Sequence, residues 1–374
     1  MTDSSLPSSA SDYDNPIALS DDEEADLQEA VDTVAPVAYS GQDFDVDGLV
    51  RRLRNSDIKI PQFGHEDPDI LSSGFQRSFV WNKPQMDRFI ESLLLGYPIP
   101  GIFLVRQNDK RYLVLDGQQR LKTLEYFYRG VFQGRTFALK NVADEFKDLR
   151  YETLPPELRR MLDNAFIQAT IVDTDGTPES LDAVYQIFER LNSGGTQLTA
   201  HEIRVALYAG PLIDYFESLN VDPNWRRLYG PKNQRIRDQE LIVRIIALFL
   251  DRAIYSRPQK AFLNRFVSEN RDGPSQRILG AGELFVRASQ IILDGPGPEA
   301  LRRASRQVNN SQTDAVYVGI MDRLSQNELA PQECAMILDE LRLNNDFQTF
   351  IAGPTADEEM VKGRLRIAAA AFAS

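Results

Sequence analysis

Residues 111–124 read RYLVLDGQQRLKTL, and their reading decides the fold. Tyr112 to Leu115 form an apolar run of strand character, which Asp116-Gly117 interrupts. Beyond it Leu121, Leu124, Phe127 and Tyr128 recur at three- and four-residue spacing until Gly130, the mark of one buried helical face with a glycine stop. A strand therefore hands over directly to a helix at Asp116. Upstream, Asn108-Asp109-Lys110 makes a turn and IPGIFLVRQ (99–107) reads as a strand antiparallel to the first. Before it Met86, Phe89, Ile90, Leu93 and Leu94 repeat on one helical face, opened by Pro84 and stopped by Gly96. Earlier still, a helix is expected over Val46–Leu53, followed by a strand at DIKIP (57–61). Downstream, TFALKNV (136–142) and FIQATIVD (166–173) read as a further strand pair.

After residue 178 the pattern turns helical, in PESLDAVYQIFERLNSG, TAHEIRVALYAGPLIDYFESL, DQELIVRIIALFLDRAIY and KAFLNRFVSENR. No fixed-period repeat is present, which argues against a solenoid. The expected class is α+β: an acidic tail at 1–42, a compact α+β unit at 43–178 and a helical domain at 179–374.

The bulk numbers agree with a soluble protein able to bury a sizeable core, since 42% of the residues are hydrophobic. No apolar run approaches the ~18–20 residues that span a bilayer, so a membrane role is not expected. The N-terminus has neither the basic nor the apolar region of a secretory signal, and the single cysteine, Cys334, has no internal partner. Both point to a cytoplasmic protein. Residues 1–40 hold ten carboxylates and no Lys or Arg, so setting them aside takes the net charge from −13 to about −3. That tail reads either as a solubiliser or as a mimic of nucleic-acid charge that covers a basic groove.

Asp116 and Gln119 have the spacing of a capping box, which leaves Gln118 and Arg120 without a role. The other reading is a phosphate cradle. A helix start offers free amides and a positive dipole end, and an arginine in that first turn is unfavourable unless an anion sits there. Gln118, Arg120 and the amides from Gly117 would hold phosphate, and Asp116 a metal-bound water or a ribose hydroxyl. Two more stretches carry similar chemistry. GFQRSFVWNKPQ (74–85) pairs Gln76 with Arg77 beside Phe75, Phe79 and Trp81, which suit either a base or the core. VYQIFERLNSGGTQLTAHEI (184–203) places a glycine-rich turn before a helix that starts near Thr199 with Glu202 at its third position.

Taken together, FQRSFVW, ESLLLGYPIPGIFL, LVLDGQQRLKTL and FERLNSGGTQLTAHEI resemble the N-terminal sensor domain of GmrSD-type restriction systems over roughly residues 45–210, with Asp-Gly-Gln-Gln-Arg the diagnostic motif. The C-terminal stretch FQTFIAGPTADEEMVKGRLRIAAAAF resembles the tail of stand-alone members. The resemblance implies a domain like the nucleotide-binding domains of ParB and sulfiredoxin, taking a nucleoside triphosphate with Mg²⁺ and hydrolysing it in defence against phage DNA. It implies Asp116, Gln119 and Arg120 as catalytic residues, with Asp116 at the metal. Gln76, Arg77, Gly117, Gln118 and Thr123 would bind nucleotide, and Asn192, Gly194 and Thr196 would close the site. A nucleotide clamp without turnover, or an adaptor for a separately encoded nuclease or ATPase, is the alternative; a homo-oligomer is compatible with either.

The chain departs from full-length members in having two histidines, His65 and His201, too few for an HNH nuclease or a zinc site. His201 reads as a surface or pocket residue at a helix start. DNA contact is expected instead from NWRRLYGPKNQRIRDQE (224–240), where Arg226, Arg227, Lys232, Arg235 and Arg237 interleave with Trp225 and Tyr229. The same run also reads as a solvated linker, and LRRASRQ (301–307) is a weaker second candidate.

Overall fold

The structure is a computed structural model that describes residues 23, 29, 37–60, 81–107, 109–191, 198–233, 235–302, 307–353 and 356–373. Gln76, Arg77, His65, Asn192, Gly194 and Thr196 lie outside the described residues.

The chain opens with strand β1 (Tyr39–Asp45) and helix α1 (Val46–Arg54), then β2 (Ile58–Lys59), α2 (Lys83–Leu94), β3 (Ile102–Arg106), β4 (Tyr112–Asp116) and α3 (Gln118–Arg129). A small hairpin of β5 (Val131–Phe132) and β6 (Arg135–Thr136) leads to α4 (Pro156–Asp163) and β7 (Phe166–Asp173). The local chemistry of these boundaries is plain. Asp45 caps α1 by accepting from the Gly48 amide at 2.6 Å. Asn82 and Gln85 form a capping box on α2, with Pro84 in its first turn. Gly130, at φ 72°, ends α3 in the left-handed conformation that glycine tolerates best.

Five strands form a mixed sheet in the order β1-β7-β3-β4-β2. The β1/β7 and β3/β4 pairs are antiparallel, and β3/β7 and β2/β4 are parallel. Side chains alternate between two cores. Ile102, Leu104, Val114, Ile167, Ala169 and Ile171 pack under α1 to α4. Val105, Leu113, Leu115 and Val172 point the other way, into a core shared with the helical half.

That half comprises α5 (Pro178–Leu191), α6 (Ala200–Leu207), α7 (Pro211–Asn220), α8 (Pro223–Tyr229), α9 (Arg237–Asp251), α10 (Gln259–Asn270), α11 (Gln276–Asp294), α12 (Asn310–Leu324), α13 (Pro331–Leu343), α14 (Asn345–Ala352) and α15 (Glu358–Ala373). Helix α5 lies against β4, so the helical half covers the sheet's second face instead of standing apart from it. No helix among the described residues is long and apolar enough to cross a membrane.

Two expectations are corrected. Residues 39–42, placed in the acidic tail, belong to β1. Of TFALKNV only Thr136 is in a strand, within the β5/β6 hairpin; the partners of β7 are β1 and β3.

Candidate functional site

The corner at Asp116 is shaped by an irregularity in the sheet. Phe103 pairs with Asp116 while Leu104 pairs with Val114, so β4 carries one extra residue and bulges at Leu115. Bulges re-aim the side chains that follow them. Gly117 then turns the chain at φ 96° and serves as N-cap of α3 without any side-chain hydrogen bond. The turn needs glycine twice over. The dihedral is left-handed, and a Cβ here would lie 2.4 Å from Cγ2 of Ile102.

The capping box expected from Asp116 and Gln119 is not formed. Asp116 instead accepts from Nη2 of Arg120 at 2.9 Å, and that same nitrogen donates to the Gly101 carbonyl at 2.8 Å. Gln119 uses its Oε1 to accept from the Trp81 amide at 3.3 Å. This contact ties the start of α3 to the residue just before Asn82, the N-cap of α2. With no cap on Gly117, the first amides of α3 have no partner within the helix.

Arg120 is the centre of the arrangement. Its side chain is 14% exposed against 48% for Asp116. Nε of Arg120 is buried without a hydrogen-bond partner. The guanidinium is therefore anchored on one side by Asp116 and Gly101 and left short of acceptors on another. Gly101 was missed by sequence reasoning. It lies 19 residues before Arg120 and acts through its backbone, and a Cβ on it would lie 2.8 Å from the Gln168 carbonyl of β7. The one available signal was a glycine next to a proline at a strand start.

Gln118 is half-buried at the same helix start. Thr123 is fully buried and its hydroxyl donates to the Gln119 carbonyl at 2.7 Å, so it faces the helix backbone and not a ligand. Asn192, Gly194 and Thr196 fall between α5 and α6 in sequence, outside the described residues. Thr199 and Glu202 form the expected capping box on α6.

His201 is corrected from surface to core. It is fully buried; Nδ1 faces Nη1 of Arg204 at 2.9 Å and Nε2 faces Oε1 of Gln239 at 3.0 Å. Arg204 can only donate, so Nδ1 accepts and the ring proton sits on Nε2. Burial first, then the charge of Arg204, holds the imidazole well below its ordinary pKa.

The basic run is also corrected. Arg226 donates to Asp238 at 2.8 Å and Asn220 at 2.9 Å, Lys232 reaches Glu217 at 2.8 Å, and Arg235 reaches Glu202 at 2.7 Å within the core. Trp225 is fully buried and cannot stack on a base. Arg227 is exposed. Arg237 is paired with Glu23 of the N-terminal segment.

A cleft of about 460 Å³ opens between the two halves, lined by Lys59, Lys122, Glu125, Asp214, Glu217 and Gln239 among apolar residues. It runs along the flank of α3 and none of its lining comes from Asp116–Arg120. The chemistry, not the size of a cavity, selects the corner. Among the described residues no cluster of three or more His, Cys, Asp or Glu could hold a metal ion.

The molecule is thus an α+β domain with a buried arginine and an uncapped helix start at one corner of its sheet, continued by a helical half. Residues 52–209 match the family model described as GmrSD restriction endonuclease, N-terminal domain. The matched span contains the whole corner and ends just after α6. A solved structure of a Pnob8-like ParB-N domain is similar at 13% identity, covering 91% of this chain and 100% of that one, with a TM-score of 0.23; at that score the likeness carries no argument. No curated protein matches the chain.

Proposed function

We propose that this chain is the nucleotide-responsive module of a restriction system and that the Asp116–Arg120 corner binds the phosphates of a nucleoside triphosphate. The observation that carries the reading is Arg120. A guanidinium in the first turn of an uncapped helix opposes the helix dipole, and here it is mostly buried with Nε lacking an acceptor. A phosphate at that place would relieve both penalties, accepting from the guanidinium and from backbone amides in the first turn of α3. The Asp116 contact holds the arginine ready. Gln118 adds a side-chain donor, and the Trp81–Gln119 contact ties the start of α3 to the chain entering α2. Mg²⁺ would arrive with the nucleotide, taking most ligands from phosphate and water, with Asp116 as the protein carboxylate that completes its shell. Turnover would then rest on positioning and charge neutralisation by Arg120, as phosphoryl transfer allows.

One observation favours a clamp that binds without turnover. Asp116 is engaged by Arg120, and His201, a possible general base by type, has both ring nitrogens occupied inside the core. DNA recognition, if this chain performs it, would be a separate task of the helical half.

Titration with ATP, GTP, CTP and UTP in the presence of Mg²⁺, followed by phosphate release, tests the proposal. Arg120→Ala should weaken binding at least tenfold, a loss of about 1.4 kcal/mol or more. Asp116→Ala should abolish release while retaining measurable binding. Wild-type binding with no release selects the clamp, and no binding of any nucleotide defeats both readings.

A further inference from the structure

The sheet ends differently at its two edges. Strand β2 closes one side with two residues, Ile58 and Lys59, a short edge that offers little to pair with. Strand β1 closes the other with seven, Tyr39–Asp45, paired to β7 at every position from Tyr39↔Val172 to Asp45↔Phe166 without a shift in register. No strand among the described residues pairs with its outer side. Tyr39 to Asp43 are exposed whichever face of the sheet they point to. The devices that blunt an edge are missing, since YSGQDFD has no proline, lysine or arginine and β1 has no bulge. Its two charges are Asp43 and Asp45, and Asp45 turns its carboxylate back onto the Gly48 amide at 2.6 Å. Such an edge is a template for another strand.

The sequence of β1 selects that strand. Two copies related by a two-fold axis normal to the sheet pair antiparallel, and each face of one sheet continues the same face of the other. Because side chains alternate, the axis must pass through a residue; a one-residue slip would put core-facing side chains beside outward-facing ones. With the axis at Gln42 all seven positions pair: Tyr39 with Asp45, Ser40 with Phe44, Gly41 with Asp43, and Gln42 with itself. No like charges meet. An axis at Asp43 sets that carboxylate against its own copy, and an axis at Gly41 leaves only Tyr39 to Asp43 paired. Parallel pairing in register opposes both aspartates with themselves. The Gln42 register also places Tyr39, 75% exposed, beside Asp45 of the second copy, whose neighbour on β7 is Phe166, 69% exposed. The two most exposed aromatic residues of the sheet thus fall in one row across the junction.

We propose that the outer edge of β1 is a homodimer interface, in which β1 of two copies pair antiparallel about Gln42 and join two five-stranded sheets into one. The outward backbone groups of β1 supply the hydrogen bonds, and the placing of Asp43 opposite glycine sets the register. A junction made by one strand edge is small, so the dimer is reversible and its population rises with concentration. The inference stands on strand pairing and charge and does not rest on the nucleotide reading.

Gly41 is the probe, because a side chain added there meets nothing within 4 Å in the single chain. Sedimentation velocity of the full chain is measured from low micromolar to submillimolar concentration for wild type, Gly41→Asp and Gly41→Lys, with thermal melting to check that all three are folded. Wild type should shift from one chain toward two as concentration rises. Gly41→Asp sets two new carboxylate pairs across the junction and should weaken the dimer roughly three- to thirtyfold. Gly41→Lys meets Asp43 with the opposite charge and should pair at least as tightly as wild type. High salt should draw the two variants together. A second readout locates the axis. Gln42→Cys should crosslink the two copies under mild oxidation, because directly opposed residues have Cα atoms about 4.5–5.5 Å apart, within the reach of a disulfide. Native Cys334 is buried and does not compete. A wild type that stays monomeric throughout, a dimer indifferent to Gly41→Asp, or equal weakening by Gly41→Asp and Gly41→Lys overturns the proposal. So does a Gln42→Cys sample that sediments as a dimer and does not crosslink.

Discussion

The strand-to-helix corner at Asp116–Arg120 and the basic run at Arg226–Arg237 look alike in sequence, and the fold treats them oppositely. Both set arginines beside apolar residues at a helix start. In the run, neighbouring helices supply a carboxylate for each of Arg226, Lys232 and Arg235, and the charges are consumed by packing. At the corner the carboxylate that Arg120 engages is Asp116, four residues away, and Nε is left over. The difference teaches that an arginine's chemistry is decided by the acceptors that the fold brings to it. Charge count alone does not locate a phosphate site.

The largest expected effect tests the structural half of that contrast. Arg235 and Glu202 are each 4% exposed and paired at 2.7 Å, and Glu202 also caps α6. Arg235→Ala leaves a buried carboxylate without its cation and should cost about 3–5 kcal/mol of stability, read from urea unfolding midpoints. Replacing Arg120 should cost far less stability and far more nucleotide affinity. If Arg235→Ala is nearly neutral, the inward-facing reading of the run is wrong and its arginines are available to ligands after all.

A smaller effect sharpens the other side. Gly117→Ala forces a left-handed dihedral on alanine and drives a Cβ into Ile102. The combined strain and overpacking should lower stability by roughly 2–3 kcal/mol, and nucleotide binding should fall beyond what unfolding explains, because the amides of α3 move with the turn. A variant with full stability and full binding would show that the corner tolerates displacement, which a cradle built on backbone amides does not.

Much of this was legible in the sequence. The buried faces of α2 and α3, the antiparallel β3/β4 pair and the glycine stop at Gly130 followed from periodicity and turn chemistry. Strand β1 was not, because Tyr39 to Asp43 are exposed in an edge strand held by backbone pairing with β7, and so show no apolar alternation. Asp-Gly-Gln-Gln-Arg marked the strand-to-helix handover but suggested the wrong cap. The bulge at Leu115 and the carbonyl of Gly101 belong to strand pairing that spacing does not encode. The basic run was misread for a related reason. The partners of Arg226, Lys232 and Arg235 lie 12, 15 and 33 residues away, on helices whose packing no local pattern reveals.

His201 offers the finest measure of how far the helical half has internalised its polar groups. Its folded pKa lies well below the ordinary 6.5 expected of the unfolded chain, so between the two values the unfolded state binds the extra proton. Stability from this group is complete above pH 6.5 and declines as pH falls through the folded value. The slope approaches about 1.4 kcal/mol per pH unit for one proton. Urea midpoints from pH 8 to 5 should therefore fall more steeply in wild type than in His201→Gln, which has no proton to take up. The variant should start lower at pH 8, having lost the contacts to Arg204 and Gln239, and converge on wild type in acid. Parallel curves would mean that the imidazole is accessible in the folded state, and with it the polar network that separates the inward-facing run from the open corner.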